Sequence, residues 1–227
     1  MRIYDHLLQF PLFQGLSRSE LLQMAGNTKF GFLKVPAGHN VVTDGMPCTQ
    51  LFFLINGQLT LTTSSSDHGY SVTEQLAAPW LLQPEALFGL SPRYTCTATV
   101  VSGDSQSPAE AHFITLSKDE VLRLLDDFLI IRLNLLNLMA TLAQRRTRQA
   151  WHRCPSSLTQ RIARFITDHC TYPAGHKTIL ILMERLAQEI NDSRLNVSRA
   201  LNAMQVDGLL TLHRGRIEVP SLERLFM

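Results

Sequence analysis

The chain has 227 residues, of which 45% are hydrophobic and 18% are charged, and its formal net charge is +2. This composition can bury more than one hydrophobic core and differs from that of a disordered chain. Because no uninterrupted apolar run reaches about 18 residues and the N-terminus lacks the apolar segment of a signal peptide, we expect a cytoplasmic protein with no membrane partner.

The cysteines are too far apart to form a metal-binding motif. They are Cys48, Cys96, Cys154 and Cys170. Their spacing argues against a zinc ribbon and against an iron–sulfur cluster, so no metal site is predicted. Buried, reduced thiols are the expected state of such cysteines in a cytosolic protein.

Charge is distributed unevenly along the chain. Residues 1–143 contain 8 Lys/Arg and 12 Asp/Glu, a net charge of −4, whereas residues 144–227 contain 13 and 7, a net charge of +6. A basic C-terminal third is the electrostatic pattern of a surface that binds phosphate groups. The alternative is a solvated helical surface whose arginines have no ligand.

The N-terminal half changes from helical to β-type patterning near Lys29. Within the helical first 28 residues, Ser17 and Glu20 form a capping box ahead of an apolar pair. Regularly spaced turn signals then separate short β-favouring runs, which predicts a small antiparallel barrel or sandwich. The predicted strands are 40–43, 50–55, 58–63, 70–76, 95–101 and 112–116. A short helical turn is predicted at 84–88 and a flexible tip at 103–111.

From Ser117 onward the pattern is helical. Ser117 is the predicted N-cap of a helix over 118–126, and a long helix follows over 127–152. The long helix has an apolar seam at spacings of three and four residues, which is typical of a coiled-coil interface. The predicted dimerisation residues are Ile131, Leu135, Leu138 and Leu142. The alternative is a core helix that is covered entirely by its own chain.

Beyond a hinge at 154–157, the pattern predicts a helix over 158–170 and a short strand over 178–182. Residues 183–210 then predict two short helices joined by a tight turn at Asn191-Asp192. Ser193 is the expected N-cap of the second helix, accepting from the backbone N–H of Asn196. Leu195 or Val197 is expected to point inward together with Ala200, Leu201 and Met204. This is the pattern of a helix-turn-helix.

The outward face of the second helix, 193–205, has the residue types that read DNA. Arginine pairs with guanine, asparagine pairs with adenine, and serine adapts to either base. After Gly208, two β runs at 209–213 and 217–219 flank a basic tip, which predicts a wing that touches phosphate or the minor groove. The predicted DNA-binding residues are Ser193, Arg194, Asn196, Ser198, Arg199, Asn202, Arg214 and Arg216.

With these elements in this order, the chain resembles the CRP/FNR family of bacterial transcription regulators. The resemblance depends on the entry segment 10–17, the barrel glycines Gly38, Gly45 and Gly57, the strand 51–55, and the DNA-reading motif at 186–199. It implies an α+β fold: an antiparallel, cyclic-nucleotide-binding-like β-barrel (1–126), a dimerisation helix and hinge (127–153), and a winged helix-turn-helix (154–227). It also implies a homodimer on an inverted-repeat site, with recognition helices about 34 Å apart, and RNA polymerase as a further partner.

Three positions depart from the family pattern. Leu195 stands where many members have glutamate, which would accept a hydrogen bond from cytosine N4. Asn191 replaces a turn glycine, and asparagine tolerates the left-handed conformation. Leu182 replaces the usual Ser or Thr cap of the first helix, which should cost that helix roughly 1 kcal/mol.

The effector region also departs from the pattern of the cyclic-nucleotide-binding members. There a Gly-Glu pair holds the ribose and an arginine holds the phosphate. Here Glu85 supplies the acid, but Pro84 replaces the glycine, and the arginine position falls near Thr95, with Arg93 displaced from register. We therefore predict no cyclic nucleotide and no cofactor, and leave open an unidentified small-molecule effector near Glu85, Arg93 and Thr95.

No enzyme motif is present: the chain contains no GxSxG, HExxH, P-loop or GxGxxG pattern, so no catalytic residue is predicted. The predicted function is sequence-specific DNA binding by a homodimeric regulator. The alternative is a small-molecule-binding dimer with a vestigial DNA-binding domain. Salt-dependent affinity for DNA distinguishes the two.

Overall fold

The computed structural model describes residues 3–101, 110–151 and 153–226, which form two compact units. The first unit is Met1–Leu59 with Leu76–Trp151, and the second is Thr60–Gln75 with His152–Met227. The second unit therefore includes a segment, 60–75, that the predicted boundaries placed in the N-terminal domain. Residues 103–109 of the predicted flexible tip, and residue 152 at the end of the predicted long helix, lie outside the described residues.

The described residues contain seven α-helices and eleven strands. The helices are α1 (Ile3–Leu7), α2 (Arg18–Asn27), α3 (Lys118–Asp127), α4 (Leu129–Trp151), α5 (Leu158–Asp168), α6 (Met183–Glu189) and α7 (Arg194–Val206). The strands are β1 (Gly31–Pro36), β2 (Asn40–Val42), β3 (Gln50–Asn56), β4 (Gln58–Ser64), β5 (Tyr70–Ala77), β6 (Trp80–Leu82), β7 (Thr97–Val100), β8 (Glu110–Ser117), β9 (Lys177–Ile181), β10 (Thr211–His213) and β11 (Arg216–Val219). Short 3₁₀ turns lie at Pro11–Phe13, Pro84–Leu87 and Leu222–Phe226. The α+β prediction is confirmed, and β1 and β6 are strands that the sequence pattern did not reveal.

In the first unit, antiparallel strands pair in the order β1-β8-β3-β6, and β2 pairs with β7. The apolar run Leu51–Leu54 of β3 is buried on both faces. The Phe53 ring lies 5.0 Å from the Phe10 ring, measured between centroids, in an edge-to-face arrangement. The predicted capping box is present at α2, where Ser17 accepts from the backbone N–H of Glu20 and the Glu20 carboxylate accepts from that of Ser17.

The long helix α4 packs one face against its own chain. The Asn134 amide donates to the carbonyl oxygens of Leu12 (3.1 Å) and Gln14 (2.8 Å). Ile131 and Leu135 lie on the same buried side and are only 1% and 8% exposed. Of the predicted dimerisation seam, Ile131 and Leu135 are therefore covered within the chain, whereas Leu138 and Leu142 are half-buried. The assignment of these four residues to a dimer interface stays a prediction.

A second apolar row on α4 is exposed instead. Leu129, Leu133 and Leu136 are 61%, 45% and 59% exposed, and exposed Ala140 and Ala143 continue the row. The spacings are again four and three residues. Both rows fit a coiled-coil repeat, so periodicity alone could not identify the free one.

In the second unit, the hairpin of β4 and β5 extends the sheet of the C-terminal residues. The order is β10-β11-β9-β5-β4, and β5 pairs with β9 so that Tyr70 faces Ile181 and Glu74 faces Lys177. Helices α5, α6 and α7 cover this sheet around a core that includes Val72, Ile166 and Leu201. The hairpin therefore contributes both backbone pairing and an apolar side chain to this core.

A fully buried ion pair joins β5 to β9. Lys177 Nζ lies 2.9 Å from Glu74 Oε1, and the side chains are 0% and 1% exposed. The Glu74 carboxylate also accepts from the backbone N–H groups of Thr171 (2.8 Å) and Tyr172 (2.9 Å). Each charge is therefore compensated, as burial requires. Within the described ranges, no helix is long and apolar enough to cross a membrane.

Candidate nucleic-acid interface

Helices α6 and α7 form the predicted helix-turn-helix. Asn191 in the turn between them has φ 52°, in the left-handed region, as predicted. Leu186 and Ala187 of α6 are buried against a core that includes Val197 and Leu201 of α7. Val197, 0% exposed, fills the inward position, whereas Leu195 is 59% exposed, which resolves the alternative that the sequence left open.

The start of α7 is capped by Ser193, as predicted. Its hydroxyl oxygen accepts from the backbone N–H of Asn196 at 3.1 Å. Leu182, at the N-cap of α6, makes no side-chain cap, and the energetic cost of this stays a prediction. Helix α7 therefore has a defined first turn, while α6 begins without that stabilisation.

An arginine from α5 holds the turn between the two helices. Arg161 Nη2 donates to Asp192 Oδ2 at 2.6 Å, and Nη1 donates to the carbonyl oxygens of Ile190 (3.0 Å) and Asn191 (3.3 Å). The carbonyl groups at a helix C-terminus carry partial negative charge, so a guanidinium there is favourable. Arg161 therefore links the end of α6 to the residue that precedes the cap of α7.

Asp192 extends this network into α7. Its Oδ1 atom accepts from Asn196 Nδ2 (3.0 Å) and from the backbone N–H of Ser193 (2.8 Å). The hydrogen bonds from Asn196 and Ser193, together with Arg161, hold the pKa of the Asp192 carboxyl below its usual range. Asn196, a predicted base contact, thus uses its amide nitrogen within the chain. Sequence reasoning missed Arg161 because its partner lies 31 residues away.

The outward face of α7 presents the remaining predicted residues of the helix. Arg194, Arg199 and Asn202 are exposed, and Ser198 is half-buried. Leu195, Arg199 and Asn202 follow at spacings of four and three residues, so they share one helical face. This face combines hydrogen-bonding groups with one exposed apolar side chain.

The wing carries one unpaired and one paired arginine. Arg214 is exposed beside Gly215, whose φ is 71°, and the ion pairs that the described residues of the wing form involve His213, Arg216 and Glu218 instead. Arg216 Nε lies 3.3 Å from Glu218 Oε1, so part of its charge is compensated within the wing. The Gln205 side-chain oxygen accepts from the backbone N–H of Leu212 at 2.7 Å, which joins α7 to strand β10.

The predicted effector residues of the first unit are exposed, and two have partners within the chain. Arg93 Nη1 donates to the carbonyl oxygen of Gly45 at 2.7 Å. The Gln83 amide donates to Thr95 Oγ1 (2.8 Å) and accepts from the backbone N–H of Thr95 (3.1 Å). Glu85 lies in the 3₁₀ turn after Pro84. The assignment of Glu85, Arg93 and Thr95 to an effector site stays a prediction.

The thiols and possible metal ligands of the described residues form no further site. Cys48 is buried, and desolvation raises the pKa of its thiol, which disfavours the thiolate. In the part of the chain that the structure describes, no three His, Cys, Asp or Glu side chains are grouped so as to hold a metal ion.

Comparisons with known proteins agree with this geometry. The family model described as "Crp-like helix-turn-helix domain" matches residues 160–226. A crystal structure of a transcriptional regulator of the crp/fnr family from Eubacterium rectale is 21% identical, with TM-score 0.50, over 96% of this chain and 96% of that one. The sensor domain of the transcriptional regulator DNR from Pseudomonas aeruginosa is also 21% identical, with TM-score 0.50, over 68% of this chain and 95% of that one. No curated protein matches the sequence.

Residues 160–226 have the architecture of a winged helix-turn-helix domain. Residues 160–226 belong to the Crp-like helix-turn-helix domains, and the chain carries them on the fold of the CRP/FNR regulators.

Proposed function

We propose that this chain is a homodimeric regulator that reads an inverted-repeat DNA site through α7. The observation that carries the proposal is the outward face of α7, on which Arg194, Arg199 and Asn202 are exposed while Ser193 and Asp192 fix the first turn. Arginine and asparagine pair bidentately with guanine and adenine in the major groove. A rigid first turn is needed because the N-terminal residues of a recognition helix contact the bases.

The phosphate contacts come from the wing and from the helix end. Arg214, exposed at the wing tip, is placed to neutralise a phosphate, and Arg216 contributes the part of its charge that Glu218 leaves uncompensated. The backbone N–H groups at the start of α7 add positive electrostatic potential. Ser193 and Asn196 act mainly by capping and positioning, because their polar atoms bond within the chain.

We propose that the homodimer forms through the exposed row of α4. Leu129, Leu133 and Leu136 present an apolar strip at coiled-coil spacing, and a second copy of the same helix buries such a strip against its equivalent. Two protomers joined in this way read two half-sites about 34 Å apart.

We also propose that the regulator works in the cytoplasm, with RNA polymerase as a further partner. We further propose that a small-molecule effector binds in the first unit. The structure ties Arg93 Nη1 to the carbonyl oxygen of Gly45 and Thr95 to Gln83. Because Arg93 is also displaced from the position where the resemblance places a phosphate-binding arginine, an effector other than a cyclic nucleotide is favoured.

Selection of bound sequences from random double-stranded DNA tests the proposal. The purified protein should enrich an inverted repeat, and the affinity for this operator should fall steeply as salt concentration rises. Arg199→Ala should weaken binding to the selected operator by at least tenfold, since a bidentate arginine contributes about 1–3 kcal/mol of discrimination in each of the two half-sites.

Arg224→Ala is the matched control, because Arg224 is exposed in the same unit but lies in the C-terminal 3₁₀ turn. It should change the affinity by less than about threefold, because the removed charge lies on the surface and contacts no DNA phosphate in the proposed complex. Absence of salt-dependent DNA affinity would overturn the proposal and leave the vestigial-domain alternative.

Leu133→Glu should convert the dimer to monomers in sedimentation analysis, whereas Ile131 variants should destabilise the monomer itself.

A further inference from the structure

Leu195 is an apolar side chain on the DNA-reading face of α7. It is the second residue of the helix and is 59% exposed. It is not among the residues that form or line the core of the second unit, where Val197 takes the inward position. Folding of the chain therefore does not account for a leucine here.

The surroundings of Leu195 place it among base-reading groups. Arg199 and Asn202 follow at spacings of four and seven residues, on the same helical face, and both are exposed. The neighbouring Asn196 directs its amide nitrogen to Asp192, at 3.0 Å. Of the two side chains that follow Arg194, Asn196 is therefore held by Asp192, whereas Leu195 is exposed and lies outside the core of the second unit.

The major groove of DNA offers one kind of apolar group to such a side chain. Each thymine carries a C5-methyl group, and the other base edges present hydrogen-bond donors and acceptors. The N-terminal residues of a recognition helix are those that reach the base edges. We propose that Leu195 reads the methyl group of one thymine in each half-site of the operator. The inference rests on the proposed function, since it requires α7 to enter the major groove.

This role makes Leu195 a residue that determines specificity. A leucine at this position cannot accept a hydrogen bond from cytosine, so a half-site with thymine under Leu195 is preferred to one with a cytosine there. Leu195→Glu should shift the base selected at that single position and leave the positions read by Arg199 and Asn202 unchanged.

Replacement of thymine by deoxyuridine tests the contact directly, because it removes the methyl group and nothing else. Each thymine of the selected operator is replaced in turn, and the affinity of the full-length protein is measured. Wild type should lose about fourfold at one position of a half-site, the equivalent of one buried methyl group, and about fifteenfold when both half-sites are changed.

Two variants assign the effect to Leu195. With Leu195→Ala, the same deoxyuridine should change the affinity by less than about 1.5-fold, because the partner of the methyl group is gone. Val206→Ala is the matched control: Val206 is exposed near the other end of α7, and this variant should keep the wild-type sensitivity. Leu195 and Val206 are both exposed, so neither substitution should disturb folding, and both variants should remain dimeric.

The outcomes separate this inference from the proposed function. If no operator is selected, the proposed function fails. If an operator is bound and depends on Arg199, but no deoxyuridine substitution weakens binding in a way that Leu195→Ala abolishes, the thymine contact is wrong and the proposed function stands.

Discussion

Two ion pairs of the second unit differ in how completely each is withdrawn from water. Glu74 and Lys177 are 1% and 0% exposed and join β5 to β9, whereas Arg161 and Asp192 are 22% and 17% exposed and join α5 to the turn before α7. A buried pair holds a structure together because loss of either partner leaves an uncompensated charge. A more accessible pair contributes less to stability but fixes geometry. The first pair thus supports the sheet, and the second orients α7.

The largest effect is expected from breaking the buried pair. Lys177→Met leaves the Glu74 carboxylate without its cation, which should lower the free energy of unfolding of the second unit by about 3–5 kcal/mol. Chemical denaturation followed by circular dichroism measures the change. Glu74→Gln added to Lys177→Met should recover part of the loss, because the amide oxygen can still accept a hydrogen bond from Thr171 or Tyr172.

Lys34→Met is the matched control for this prediction. Lys34 Nζ lies 3.2 Å from Glu110 Oε1, but the two side chains are 66% and 41% exposed. The variant should therefore change the free energy of unfolding by no more than about 1 kcal/mol. Equal losses for the two lysine variants would contradict the assigned role of burial.

The second prediction concerns orientation. Arg161→Ala removes the hydrogen bonds to Ile190, Asn191 and Asp192 and should weaken operator binding about tenfold, as expected for loss of one or two hydrogen bonds to a charged group. Arg164→Ala is the control from the same helix, since its carboxylate partner is Asp168 at 3.1 Å. The control should keep the operator affinity within about twofold, and fluorescence anisotropy compares the two. If both variants lost the same affinity, the positioning role of Arg161 would be refuted.

The smallest effect is expected from a carboxylate that is hydrogen-bonded at the surface. Hydrogen bonds from Ser221, from its own backbone N–H and from Gly175 lower the pKa of Glu223 from 4.5 to about 2. A lowered pKa in the folded state stabilises the protein above pH 4.5, and this contribution is lost as the pH falls from 4.5 towards 2. Thermal denaturation of Glu223→Gln should therefore show a shallower decline over this range than wild type. Identical pH profiles would show that the carboxylate contributes nothing.

Local features of α7 could be predicted from the sequence, and long-range pairings could not. Ser193, Asn191 and the apolar spacing of α7 act within a few residues, so they indicate the cap, the turn and the helix directly. Glu74 and Lys177 lie 103 residues apart, and only the register of β5 on β9 brings them together. Similarly, α4 has two rows with the same spacing, and the packing of Asn134 on Leu12 and Gln14 decides which row faces inward.

In the candidate site, too, local features could be predicted from the sequence and contacts between distant residues could not. The exposed residues Arg194, Arg199 and Asn202 follow from helical periodicity. The engagement of Asn196 by Asp192, and of Thr95 by Gln83, depends on side-chain geometry that a linear pattern does not contain. Leu195 was ambiguous because either it or Val197 satisfies the inward spacing, and the packed core resolves the choice.

The central claim is that α7 reads a specific DNA sequence, and one measurement tests it most directly. The affinity of the full-length protein for its selected operator is compared with that for a scrambled duplex of equal length, for wild type and Arg199→Ala, across a range of salt concentrations. Wild type should prefer the operator by at least about a thousandfold, and both affinities should fall with salt. Arg199→Ala should remove most of the preference while retaining the affinity for scrambled DNA. Equal affinity of wild type for the two duplexes at every salt concentration would contradict this claim.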